Sequence, residues 1–141
     1  MRCTFDGACE PRNPGGAIAW AFTAGDYRQS GFVSARPENT NNVAEYYALL
    51  GLLRHLGNIG KSSGVEIFGD SELVIKQVNG ECRVHNEKLK ECYFRVQERV
   101  AWLEDFFGGC VSIRWHPREQ NTEADALTVA ELAKHGVRRT R

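Results

Sequence analysis

The sequence predicts an α/β domain built on a mixed five-stranded sheet, three antiparallel strands followed by two parallel ones, with helices on both faces. Three observations predict it. Strand-like runs separated by turn sequences fill the first 35 residues. From Asn42 onward a helical apolar period alternates with short apolar runs, the pattern of strand–crossover–strand units. The length of 141 residues, 42% of them hydrophobic and 26% charged, suits one ordinary globular domain spanning residues 1–141.

In chain order, Cys3 to Cys9 reads as a first strand and Glu10 to Gly16, dense in Pro, Gly and Asn, as a turn. Ala17 to Thr23 and Gln29 to Ala35 read as two more strands, joined near Ala24-Gly25-Asp26, and Arg36 to Thr40 as a polar connector. Leu49, Leu52 and Leu56 then recur on one helical face until Gly57 or Gly60 stops the helix. Val65 to Phe68 is a short strand running into Gly69-Asp70-Ser71, and Glu72 to Val78 a short helix. A long amphipathic helix follows from Asn86 to Phe107, with Leu89, Tyr93, Val96, Val100, Leu103 and Phe107 as its apolar stripe. Cys110 to Trp115 is the last strand, Pro117 to Thr122 a loop, and Glu123 to Lys134 a final helix. Residues 134–141 read as a flexible basic tail.

Composition narrows the function classes. Eighteen basic and 18 acidic residues balance to zero, so any nucleic acid must be held by local patches rather than by a uniformly cationic surface. The absence of a span-length apolar run or an apolar leader predicts a cytoplasmic protein without a membrane partner, expected to be monomeric. Five cysteines without CxxC or zinc spacing read as small core residues.

Four carboxylates occupy places where a lone charge is expensive. Asp6 lies in the middle of an apolar strand, and Glu45 stands four residues before Leu49 on the apolar face of its helix. Asp70 follows a strand, where an Asp can also cap the next helix. Asp125 shares a helical register with Val129 and Leu132, which aims it at the apolar side. Glu66, Glu72, Glu81, Glu87, Glu91, Glu98, Glu104 and Glu131 read as solvated surface residues. Four isolated acids on four separate elements are what an all-oxygen site for hard divalent cations requires, which points to a two-metal nuclease.

The motifs around these acids resemble the type 1 ribonuclease H family over nearly the whole chain. Asp6-Gly7-Ala8 followed by Asn13-Pro14-Gly15-Gly16 is similar to that family's first strand and turn, and Thr40-Asn41-Asn42-Val43-Ala44-Glu45 to its TNN-x-x-E helix start. Gly69-Asp70-Ser71 resembles its third acidic motif, and Trp115 to Leu127 the loop and helix carrying its last aspartate. The resemblance implies a ribonuclease H-like fold and hydrolysis of the RNA strand of an RNA/DNA hybrid by two Mg²⁺ or Mn²⁺ ions, leaving 5′-phosphate and 3′-hydroxyl ends. It assigns the ions to Asp6, Glu45, Asp70 and Asp125, with Asp6 bridging both.

By the same resemblance His116 is the mobile loop histidine that assists proton and product movement, although Arg118 and Glu119 compete for the role. The backbone around Cys9 and the side chains of Asn13, Asn42 and Glu72 match positions that read the minor groove, while Thr40 and Asn13 match holders of a DNA-strand phosphate. Asn13 also reads as a plain turn residue and Asn42 as a helix cap. Only Asn79 to Val84 separates Val78 from His85, so the chain resembles the compact form without a basic handle, leaving Arg83, Lys88, Arg138, Arg139 and Arg141 as further cationic contacts. The alternatives are a nuclease of this superfold acting on double-stranded RNA or branched nucleic acid, and a catalytically silent hybrid-binding module.

Overall fold

The computed structural model describes residues 1–140. Its elements are β1 (Arg2–Glu10), β2 (Ala17–Ala24), β3 (Tyr27–Val33), α1 (Asn41–Ile59), β4 (Val65–Gly69), α2 (Glu72–Val78), α3 (Glu87–Phe107), β5 (Val111–Trp115) and α4 (Thr122–Lys134), with a 3₁₀ turn over Arg118–Gln120. The sheet runs β3-β2-β1-β4-β5, antiparallel through β1–β3 and parallel from β1 to β4 to β5. The predicted α/β sheet is therefore present. Among the described residues no helix is long and apolar enough to cross a membrane.

Strand alternation sorts the core into two layers. Cys3, Phe5, Ile18 and Phe22 pack with Leu49, Leu52 and Leu56 of α1, and α3 covers α1 in turn through Leu89, Cys92, Val96 and Leu103. The intervening residues Ala8 and Ala19 form a second cluster with Leu132 of α4, where small side chains let that helix lie close to β1 and β2.

Glycine sets the position of α1. A Cβ on Gly7 would lie 2.2 Å from the Ala44 carbonyl carbon and 2.4 Å from the Glu45 nitrogen, so helix backbone rests directly on strand backbone there. Helix starts are defined by side-chain caps. Thr40 Oγ1 accepts from Val43 N at 3.1 Å, Ser71 Oγ from Val74 N at 3.3 Å and Asn86 Oδ1 from Leu89 N at 3.1 Å. The caps are thus Thr40 and Ser71, not Asn42 and Asp70.

Other departures have local causes. Glu131 is buried rather than solvated, because Ser30 Oγ donates to it at 2.7 Å and Lys134 and His135 stand 3.5 Å away. Cys110 is exposed and Cys82 half-buried, unlike Cys3, Cys9 and Cys92 in the core. The basic segment makes defined contacts as far as residue 140. Gly136 adopts φ 71°, Val137 N donates to Leu132 O at 3.0 Å, and Val137 packs on the Ala8–Ala19–Leu132 cluster.

Candidate active site

Register brings the first two acids together. The β1–β4 ladder ends with Phe5 opposite Gly69, so Asp6 and Asp70 are the next residues on adjacent parallel strands. Glu45 reaches the same point because α1 sits on Gly7. Asp6, Glu45 and Asp70 each offer a carboxylate oxygen within 4.8 Å of the others, a group able to hold one metal ion. Asp125, on the first turn of α4, faces Asp6 from the other side and shares Arg139 with it. Its side chain is 33% exposed and Val129 is exposed, so Asp125 lies at the rim of the cleft rather than on the apolar side of α4.

The electrostatics single out Glu45. Burial, together with the charges of Asp6 and Asp70, raises its pKa well above the ordinary carboxylate value, and the Gly7 N–H and Arg139 only partly offset this. Glu45 Oε2 is buried and accepts no hydrogen bond among the described residues. A divalent cation is what such an oxygen lacks, so the donor set fits an oxygen-liganded metal.

His116 differs from the mobile loop residue that the resemblance implies. It is 3% exposed and stacks on Phe68, with ring centroids 5.4 Å apart. Arg2 Nη2 donates to Nδ1 at 3.4 Å, which leaves the ring proton on Nε2 to be donated to Asn121 Oδ1 at 2.8 Å. Asn121 Nδ2 donates in turn to Phe5 O at 3.0 Å and to Asp70 Oδ2 at 3.4 Å. The relay ends on Asp70, so His116 touches the acids only through Asn121.

The cleft above the acids measures about 340 Å³, and Asn41, Asn42, Ser71 and Arg118 line it together with Glu45 and Asp70. Arg118, from the 3₁₀ turn, thus faces the cleft, whereas Glu119 is exposed and does not line it. Cys9 N donates to Asn41 Oδ1 at 2.8 Å, and Asn41 N donates to Asn13 Oδ1 at 3.1 Å, so Cys9 and Asn13 brace the start of α1. Thr40 caps that helix and Asn42 is half-buried at the cleft wall. Glu72 lies apart from these residues, in a separate hollow with Ile113 and Trp115, 3.9 Å from Lys76.

Asn121, Thr128 and Glu10 had no place in the sequence reading as site residues, and Arg139 was read there only as a further cationic contact to nucleic acid. Asn121 and Thr128 carry only the helical spacing about Asp125 as a signal, and Thr128 Oγ1 donates to Asp6 Oδ2 at 3.0 Å. Glu10 and Arg139 are 129 positions apart and meet the site only through the fold. Arg141 lies outside the described residues.

Residues 4–131 match the family described as reverse transcriptase-like. A ribonuclease HI of Halobacterium salinarum is 35% identical over 128 residues, covering 87% of this chain and 59% of the relative. A bifunctional protein of Mycobacterium tuberculosis is 32% identical over 88 residues, covering 62% of this chain and 22% of its own length, so this chain spans only part of either relative. Among solved structures, the ribonuclease H1 of H. salinarum superposes with a TM-score of 0.77 at 30% identity, covering 94% of this chain and 97% of that one. LC11 ribonuclease H1 in complex with an RNA/DNA hybrid superposes with a TM-score of 0.76 at 26% identity, covering 95% and 97%. With the sheet order, the converging acids and a family match over most of its length, the chain belongs to the reverse transcriptase-like family and, within it, to the type 1 ribonucleases H.

Proposed function

We propose that the protein is an endoribonuclease that hydrolyses the RNA strand of an RNA/DNA hybrid with the help of two divalent cations, Mg²⁺ or Mn²⁺, and leaves 5′-phosphate and 3′-hydroxyl ends. The observation that carries this reading is the convergence of Asp6, Glu45 and Asp70 within 4.8 Å, with Glu45 buried and one of its oxygens without a hydrogen bond. Asp125 completes the set across Asp6. Asp6, Glu45, Asp70 and Asp125 would hold these cations, whose chemistry there would be activation of a water and stabilisation of the leaving oxygen of a phosphodiester.

The remaining residues bind and orient. Asn41 and Asn42 present amides on the cleft wall, suited to the 2′-hydroxyls that distinguish RNA from DNA. Arg118 supplies a guanidinium for a backbone phosphate on the same wall. Asn13 and Cys9 hold the start of α1, and with it Asn41, in place. His116 keeps Asp70 oriented through Asn121, a positioning role.

Incubation with labelled RNA/DNA hybrid, duplex RNA, duplex DNA and a branched junction, each with Mg²⁺, Mn²⁺ or chelator, tests the proposal. Cleavage confined to the RNA of the hybrid and lost with chelator is the expected result. Preferential cleavage of duplex RNA or of the junction would move the substrate to the alternative class.

A further inference from the structure

The segment that follows α4 doubles back over the acids and is held at two points. On one side Val137, half-buried, packs against the cluster of Ala8, Ala19 and Leu132. On the other, Thr140 N donates to Glu10 Oε2 at 2.8 Å and Thr140 Oγ1 to Glu10 Oε1 at 3.0 Å, on a carboxylate only 6% exposed. Between these anchors Arg139 turns inward, its side chain 9% exposed. Its Nη1 lies 2.5 Å from Asp6 Oδ2 and 2.8 Å from Asp125 Oδ1, and also contacts Thr128 Oγ1, while Nη2 donates to Gly7 O at 3.5 Å.

The four acids are therefore divided. On one side of Asp6, Glu45 Oε2 accepts no hydrogen bond among the described residues, whereas on the other a guanidinium already stands between Asp6 and Asp125. A cation ligated by both of those aspartates would need the same lone pairs that Nη1 now uses, and two positive charges in contact repel, most strongly on the side of fully buried Asp6. Arginine at a paired carboxylate also supplies the positive charge that makes burying Asp6 tolerable in the metal-free protein.

Resting on the two-cation reading above, we propose that Arg139 is a built-in counter-cation: it holds the place of one divalent ion between Asp6 and Asp125, and that ion enters only by exchanging with the guanidinium. The metal-free chain then takes its first cation more readily at the group of Asp6, Glu45 and Asp70 than between Asp6 and Asp125, where Arg139 must leave. Filling the second releases the 137–140 segment from Glu10. The coupling runs both ways, so anything that pins this segment weakens the second ion, and the second ion loosens the segment.

Calorimetric titration of Mn²⁺ into the full chain, into Arg139→Gln and into Arg138→Gln tests the exchange, together with hydrogen exchange at the Thr140 amide of the parent. Arg138 is exposed, so its variant removes the same charge one residue away without emptying the contact. The parent is expected to bind one ion more tightly than the other. In Arg139→Gln the weaker step tightens by about 5- to 150-fold, the range of ordinary coupling between sites, while Arg138→Gln follows the parent. Beyond one equivalent of Mn²⁺ the Thr140 amide of the parent exchanges faster, a readout that needs no variant to fold. A parent that binds one ion where Arg139→Gln binds two is the same result in its extreme form. Two ions bound equally by the parent and Arg139→Gln, or a Thr140 amide still protected with two ions bound, overturns the exchange and leaves the two-cation reading standing. Fewer than two ions bound by both proteins overturns both.

Discussion

Glu45 is where the site stores most of its electrostatic strain. Asp6 is fully buried too, but it is paired with Arg139 and accepts from Thr128, whereas burial and two neighbouring carboxylates push the Glu45 pKa up. A carboxyl whose folded pKa is raised stabilises the fold fully only below its unfolded value, about 4.3, and loses that contribution as the pH rises through the folded value. Metal-free protein should therefore lose stability with rising pH above about pH 4.3, by at most about 1.4 kcal/mol per pH unit from this group. Glu45→Gln should melt higher than the parent without metal near neutrality and show a flatter pH profile, and added Mn²⁺ should stabilise it less. A parent-like pH profile in chelator would show that Glu45 is not the strained group. The sequence signals that Glu45 points inward, from its spacing to Leu49. Nothing local to residue 139 announces a partner 133 positions away, so the pairing of Arg139 with Asp6 was not legible.

At the scale of elements, the site depends on how closely α1 approaches β1. Gly7 was visible as a neighbour of Asp6, but its work lies in tertiary packing, where a single methyl would meet Ala44 and Glu45 backbone. Backbone cannot step aside as a flexible side chain can. Gly7→Ala should thus lower stability by about 1–3 kcal/mol and, by displacing Glu45, weaken Mn²⁺ binding as well. A variant with parent-like melting and metal affinity would mean that α1 does not need this contact. Strand and helix periods were legible because each element has one clear apolar face, as with Leu49, Leu52 and Leu56. Element ends were less so, since the caps are chosen by backbone geometry: Thr40 rather than Asn42, and Ser71 rather than Asp70. The loop histidine shows the same limit. Its position before Pro117 is plain in the sequence, but its burial under Phe68 and its bond to Asn121 come from β4 and the 3₁₀ turn packing around it.

Across the whole molecule, the sheet order explains why acids so far apart in sequence form one site. β1 lies at the centre, so Asp6 can meet Asp70 from β4, Glu45 from α1 packed on one layer and Asp125 from α4 packed on the other. That topology followed from the pattern of three hairpin-type strands and two crossovers, which is why the four carboxylates were legible while the closing segment was not. The central claim is that these carboxylates carry the chemistry and the residues around them only position it. It is tested most directly by cleavage of a labelled RNA/DNA hybrid with Mn²⁺ by the parent, Asp6→Asn and His116→Ala in parallel, with circular dichroism to show that each is folded. The account predicts no detectable cleavage by Asp6→Asn and a turnover about 10² to 10⁴ below the parent for His116→Ala, the range for a residue assisting rather than ligating. Undiminished cleavage by folded Asp6→Asn would contradict it.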